Sequence, residues 1–181
     1  LDADIKGCFD HISHDWLMAH IPMDKRMLGQ WLRAGFMEQG NWFPTAAGTP
    51  QGGIISPVLA NLALDGLERL LRRHFRKSNH PPYYNPQVNL IRYCDDFVVT
   101  GRSQALLEHQ VKPLIEQFLA ERGLRLSPQK THIVSIHDGF DFLGQHLRKM
   151  NGTLRIRPAK GNIKTFLTKV RTLVKGHKTA P

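Results

Sequence analysis

The sequence predicts an α+β fold, an antiparallel sheet with helices packed on one face. Three observations carry the prediction. Short β-rich runs at residues 1–5, 88–93 and 97–100 are interspersed with longer stretches of helical apolar spacing. The second and third runs are joined by two aspartates and little else, a hairpin pattern. Strands and helices come in an irregular order rather than strict alternation, which favours antiparallel pairing over a parallel sheet.

Taken in order, residues 1–5 are short and half apolar and read as a strand. Ser13, followed by Trp16 and Leu17, is a helix cap. Met27, Leu28, Trp31 and Leu32 have helical spacing within residues 23–36. The run Gly48-Thr49-Pro50-Gln51-Gly52-Gly53 is a loop. Ser56 is expected to cap the next helix, with Pro57 in the first turn, where a missing N–H costs nothing. One helix is expected to carry Leu59, Leu62, Ala63, Leu67, Leu70 and Leu71, and to end in the basic cluster Arg69, Arg72, Arg73, Arg76 and Lys77. Pro81, Pro82 and Pro86 mark a connection. Ser103 caps a helix through Leu119 that Gly123 stops, and Lys112-Pro113 should kink or divide it. Residues 131–136, 140–144 and 153–156 read as strands, with Asp138-Gly139 as a tight turn. Residues 161–174 form a basic amphipathic helix, with Ile163, Phe166, Leu167, Val170 and Leu173 on one side.

The chain has 181 residues, 41% of them hydrophobic, enough for one domain or one domain plus part of another. It opens on Leu1 rather than Met, so it reads as a piece of a longer protein. No apolar run approaches the ~20 residues of a membrane span, and no signal-peptide pattern is present. Cys8 and Cys94 are too few for a disulfide framework and lack zinc-site spacing. A cytoplasmic protein is expected. Asp141 is the last acidic residue, and the ten lysines and arginines after it account for the whole net charge of +10. A segment of one sign attracts a polyanion.

The chemistry centres on carboxylates. Asp95-Asp96 sits between Leu90-Ile91 and Phe97-Val98-Val99, where charges are rarely placed unless paired or bound to metal. Adjacent strand residues point to opposite faces, so a turn must redirect one of them. Asp4 is a second acidic insertion in an apolar strand. If that strand lies beside the hairpin, three carboxylates converge into a hard, oxygen-lined site of the kind that holds Mg²⁺. The competing reading is that the aspartates are turn residues or helix caps.

The ordered motifs decide between these. Asp4-Ile5-Lys6-Gly7-Cys8-Phe9-Asp10, then Gly48 through Pro57 with Leu59-Ala60-Asn61, then Tyr93-Cys94-Asp95-Asp96, Gly123-Leu124 through Lys130-Thr131, and Phe142-Leu143-Gly144 follow one another along the chain. In this order they resemble the reverse transcriptases of group II introns. The resemblance implies a polymerase palm over residues 1–157 and the start of a basic helical thumb, or maturase domain, over 158–181. It places the fingers before Leu1. It implies an RNA-directed DNA polymerase that adds deoxynucleotides by a two-metal mechanism, and a piece that is inactive alone.

The resemblance assigns Asp4, Ile5, Asp95 and Asp96 to two Mg²⁺ ions, with Mn²⁺ as a substitute, and Lys130 to the leaving pyrophosphate. It puts Ile5, Phe9, Gln51 and Gly52 at the nucleotide, Phe9 under the sugar and Gln51 hydrogen-bonding to it. Tyr93, Phe142, Leu143 and Gly144 fall along primer and template. The implied partners are RNA template, DNA primer, deoxynucleoside triphosphates and intron RNA, with no membrane; oligomeric state is left open. Cys94 departs from the alanine more usual in the family. A non-catalytic RNA-binding splicing module and a metal-dependent nuclease are the alternatives. The loop around Gln51 and the ring of Phe9 have no evident part in the nuclease.

Overall fold

In a computed structural model of the chain, the structure describes residues 1–45, 47–49, 53–81 and 83–176. Two compact units divide it, Leu1–Ile133 and Val134–Pro181. In chain order the first unit carries β1 (Asp2–Asp4), α1 (Cys8–His11), α2 (His14–His20), α3 (Lys25–Arg33), β2 (Phe36–Glu38), β3 (Asn41–Phe43), α4 (Ser56–Leu64), α5 (Leu67–His74), β4 (Asn89–Tyr93) and β5 (Asp96–Thr100). It closes with α6 (Gln104–Leu106), a π-helical turn over Leu107–Val111, and α7 (Lys112–Ala120).

The central sheet has the order β1-β5-β4 and is antiparallel throughout. Its register sets Asp2 beside Val98 and Ile91, Ala3 beside Phe97 and Arg92, and Asp4 beside Asp96 and Tyr93. Side chains alternate along each strand, so these rows face opposite sides. Ala3, Phe97 and Val99 are buried in one cluster with Leu17, Leu28, Leu59, Leu67, Leu71, Ile115 and Leu119 from the helices. Each of these leucine, isoleucine, valine and phenylalanine side chains contributes roughly 1.5–3 kcal/mol by leaving water. The row of Asp4, Asp96 and Tyr93 stays on the other face.

Several elements differ from expectation for identifiable reasons. Asp24 accepts the Met27 N–H at 2.8 Å, so α3 starts at Lys25 rather than at 23. Residues 36–43 form a hairpin whose turn, Gln39-Gly40, has positive φ at both residues, as the tight hairpin turn requires. Ser56 is the first residue of α4, with Ile55 in the cap position. The single helix expected through Leu71 is two. Asp65 is extended and Gly66 takes a φ of 90°, which ends α4 and starts α5. The helix expected to kink or divide at Lys112-Pro113 is divided there, with α6 and the π turn ending at Val111 and α7 beginning at Lys112. The π turn carries the Lys112 N–H to the Leu107 carbonyl, and Pro113 falls in the first turn of α7.

The strand expected at 131–136 is absent. His132 alone bridges β1, exchanging two 2.8 Å hydrogen bonds with Asp2. The same edge of β1 is taken further along by Leu126, opposite Ile5. The chain touches the short strand at two points and loops outward between them, leaving no room for a continuous ladder.

Arg122 ties the helices together. Its Nε donates to the Ala63 carbonyl and its Nη1 to the Phe118 carbonyl, both at 2.7 Å. Its guanidinium lies 3.4 Å from the Phe118 ring centroid and 4.6 Å from that of Trp16.

The second unit is an antiparallel meander, β6 (Phe140–Phe142), β7 (Gln145–Met150) and β8 (Thr153–Pro158), followed by α8 (Lys160–Gly176). The strand expected at 140–144 stops at Phe142 because Leu143-Gly144 is a turn with positive φ at both residues, and Asn151-Gly152 repeats the device. On one face of β7 and β8, Arg148 stands directly opposite Arg155, and His146 opposite Arg157. The apolar side of α8 is exposed along its length. Among the described residues no helix is long and apolar enough to cross a membrane.

Candidate catalytic carboxylate site

The open face of the central sheet assembles the site. β1 lies beside the hairpin, on β5, and this brings Asp4 directly opposite Asp96. Burial pushes the Asp96 carboxyl up first, followed by repulsion from Asp95 and Asp4, against the pull of Lys130. Asp2, two residues before Asp4 on the same face, is also pushed up, by burial first and in part by Asp96 and Asp4.

Asp95 stands on the two-residue turn between β4 and β5. Cys94 before it has a φ of 55°, an uncommon conformation for a residue with a side chain. Asp95 acts on Asp96 and, through burial-dominated surroundings, on Cys8, whose thiol is pushed up to about 12. That thiol is a neutral packing group, not a nucleophile. The three sequence-predicted carboxylates are thus electrostatically coupled. Among the described residues, no three His, Cys, Asp or Glu side chains close into a tight metal cage. What the geometry offers a cation is an open edge of hard oxygen donors with a like-charge conflict.

Lys130 reaches this edge. Its Nζ lies 3.3 Å from Asp4 Oδ2, with the lysine exposed and the aspartate mostly covered. The contact follows from the backbone. Ser127 N–H donates to the Asp4 carbonyl at 2.8 Å, and Lys6 N–H to the Arg125 carbonyl at 3.0 Å. Lys130 N–H then turns back on the Ser127 carbonyl, which sets the side chain over β1.

The other expected residues fall as follows. The Ile5 side chain is buried in the core, so only its backbone is available to a ligand. Phe9 is half-buried against the core in α1. Its carbonyl accepts the Thr49 N–H, and Gly48 N–H donates to the Ile12 carbonyl at 2.9 Å. His14 Nε2 donates to the Gly48 carbonyl at 2.6 Å. Gly48 has a φ of 73°, and a Cβ there would collide with the Phe9 carbonyl. The start of the Gly/Pro loop is therefore clamped to α1. Gln51 and Gly52 lie outside the described residues. Tyr93 is exposed in the row of Asp4 and Asp96. Phe142, Leu143 and Gly144 belong to the second unit, where the Gly144 carbonyl accepts the Ala159 N–H at 2.9 Å at the entry to α8.

Sequence reasoning passed over Arg92 and the role of Asn61. Arg92 Nη1 donates to Asn61 Oδ1 at 3.0 Å and to the Cys94 carbonyl at 2.8 Å. The available signal was parity: Arg92 shares the inward register of Leu90, where a charge needs a specific partner.

Comparison with known proteins agrees with the motif order. The family described as reverse transcriptase (RNA-dependent DNA polymerase) matches residues 1–147. The chain is 24% identical over 233 residues to the group II intron-encoded protein LtrA of Lactococcus lactis subsp. cremoris, covering 96% of this chain and 39% of that protein. It is 28% identical over 190 residues to the protein YkfC of Escherichia coli strain K12, covering 86% of this chain and 49% of that one. Against the uncharacterized 91 kDa protein in the cob intron of Schizosaccharomyces pombe, it is 26% identical over 200 residues, covering 81% and 25%. The chain thus spans less than half the length of each of these relatives.

Proposed function

Because the chain belongs to the reverse transcriptase (RNA-dependent DNA polymerase) family, we propose that it forms the catalytic palm of an RNA-directed DNA polymerase within a group II intron-type maturase. One observation carries the reading. Asp4 and Asp96 face each other in register, Asp95 adjoins them, and Lys130 leans on Asp4.

The donor set suits a divalent cation. Carboxylates forced together disfavour their own ionisation, and a hard cation relieves that conflict. Asp4, Asp95, Asp96 and the backbone at Ile5 would hold Mg²⁺, with Mn²⁺ as a substitute. Bound there, the cation supplies charge neutralisation for phosphoryl transfer. The chain's own groups do the positioning. Phe9 lies under the incoming sugar, with Gln51 and Gly52 completing the nucleotide site. Tyr93 and the turn at Phe142, Leu143 and Gly144 carry the primer and template. Lys130 gives its proton or charge to the departing pyrophosphate. The partners on this reading are an RNA template, a DNA primer, deoxynucleoside triphosphates and the intron RNA itself. Residues 158–181 begin a basic thumb.

The test is primer extension on an RNA template by the full-length protein. Asp95→Asn is expected to lower the rate by roughly a hundredfold or more, as for loss of a charge-stabilising group. Unchanged extension would sink the proposal. The 181 residues alone should extend a primer poorly, since they span less than half the length of the relatives they match.

A further inference from the structure

We infer that Arg92 is a positioning residue of this site, clasping the turn that carries Asp95 to helix α4 through Asn61. The inference rests on the polymerase reading above and adds a part to it.

The turn has a conformational problem. Cys94 is held at a φ of 55°, where a Cβ crowds the backbone. Such a conformation is strained for a residue with a side chain and persists only where its surroundings hold it. Arg92 supplies the hold. Its Nη1 donates to the Cys94 carbonyl at 2.8 Å, across the neck of the turn. The same nitrogen donates to Asn61 Oδ1 at 3.0 Å, on the exposed side of α4. A guanidinium is planar and fixed in shape, so two acceptors anchored on one nitrogen set the distance between turn and helix.

Arg92 also lies on the right side of the sheet. It pairs in register with Phe97 on the face toward the helices, not among the carboxylates. It therefore does not touch the reacting groups. The carboxylate turn and α4 are thereby linked through Arg92.

The experiment compares Arg92→Gln, Asn61→Ala and the double variant Arg92→Gln/Cys94→Gly in the full-length protein. Arg92→Gln is expected to lower kcat of primer extension roughly tenfold to a hundredfold, the scale of a small misplacement of catalytic groups. KM for the nucleotide should stay within about twofold, while the Mg²⁺ concentration for half-maximal rate should rise several-fold. Asn61→Ala should move the same two quantities less. Adding Cys94→Gly should restore part of the rate, since glycine adopts this φ freely. Amide exchange across Cys94, Asp95 and Asp96 should quicken in both single variants. A wild-type kcat and Mg²⁺ requirement in Arg92→Gln would overturn the inference. If that variant fails to fold, Asn61→Ala decides alone, wild-type values again overturning it. An unsubstituted protein that never extends a primer would defeat the polymerase reading instead. The exchange measurement then still judges the clasp, and unchanged exchange defeats it.

Discussion

Asp4 and Asp96 stand directly opposite each other on neighbouring strands. Asp96 is held above the ordinary carboxylate range, chiefly by burial and then by Asp95 and Asp4. A carboxyl raised on folding contributes stability below its unfolded value, 3.8, and loses it as pH rises through the folded value. At neutral pH the ionised Asp96 carboxylate therefore opposes folding. Asp96→Asn is expected to raise Tm at pH 7 and to give no such gain below the unfolded value. Thermal melts across that window check it, and an equal effect at both ends would refute the electrostatic origin. Mg²⁺ should raise the wild-type Tm at pH 7 and lose that effect in the variant.

Lys130 has a different balance. Its ion pair with Asp4 is exposed on the lysine side, so it contributes at most about 1 kcal/mol to stability. Lys130→Ala should leave Tm within a few degrees of wild type. If the lysine serves the leaving pyrophosphate, the rate of extension should still fall about a hundredfold. Lys130→Arg should recover only part, because arginine does not release a proton. A rate within twofold of wild type in the alanine variant would remove Lys130 from the chemistry.

Arg122 is the stability counterpart. Its guanidinium is largely buried, with two carbonyl partners and two aromatic rings around it. Arg122→Ala leaves the Ala63 and Phe118 carbonyls without this donor and opens a gap between the rings. Chemical denaturation should report a loss of roughly 2–4 kcal/mol. Arg122→Lys should not restore it, since an ammonium cannot fill a planar slot between Trp16 and Phe118.

In the second unit, Arg148 directly opposite Arg155 is a like-charge pair across strands, which costs stability in isolation. A phosphate backbone would relieve it. Arg155→Gln should raise Tm slightly and weaken RNA binding evenly across sequences. It should also reduce the salt slope of binding by about one. Filter binding over a range of KCl concentrations measures both, and an unchanged slope would exclude a phosphate contact there.

Much of the site was legible because its residue types are improbable where they stand. Aspartates in apolar strands at Asp4 and Asp96, and the hairpin joining Tyr93 to Asp96, can be read from composition and alternation alone. So can the caps at Ser13 and Ser103, which accept the Trp16 and Leu106 N–H groups. Local signals failed where one residue's conformation outweighed a periodic pattern. Gly66 broke a helix that its leucines would have continued. The turn at Leu143-Gly144 ended one strand and began β7, whose mixed polar sequence has no clear alternation.

By itself, the sequence determined the family, the chemical types present and those elements with a clear cap or periodic pattern, because these depend on residue identity and near-neighbour spacing. Only the tertiary structure decided which carboxylates meet. Asp4 and Asp96 are separated by most of the first unit, and strand register alone sets them opposite each other. Register is fixed by burying Ala3, Phe97 and Val99 on the helix side, since a slip of one residue would turn that whole face to solvent. The same burial forced Arg92 inward, where it found Asn61 and the Cys94 carbonyl. No spacing along the chain announces that contact, because it comes from packing a helix against the underside of a turn.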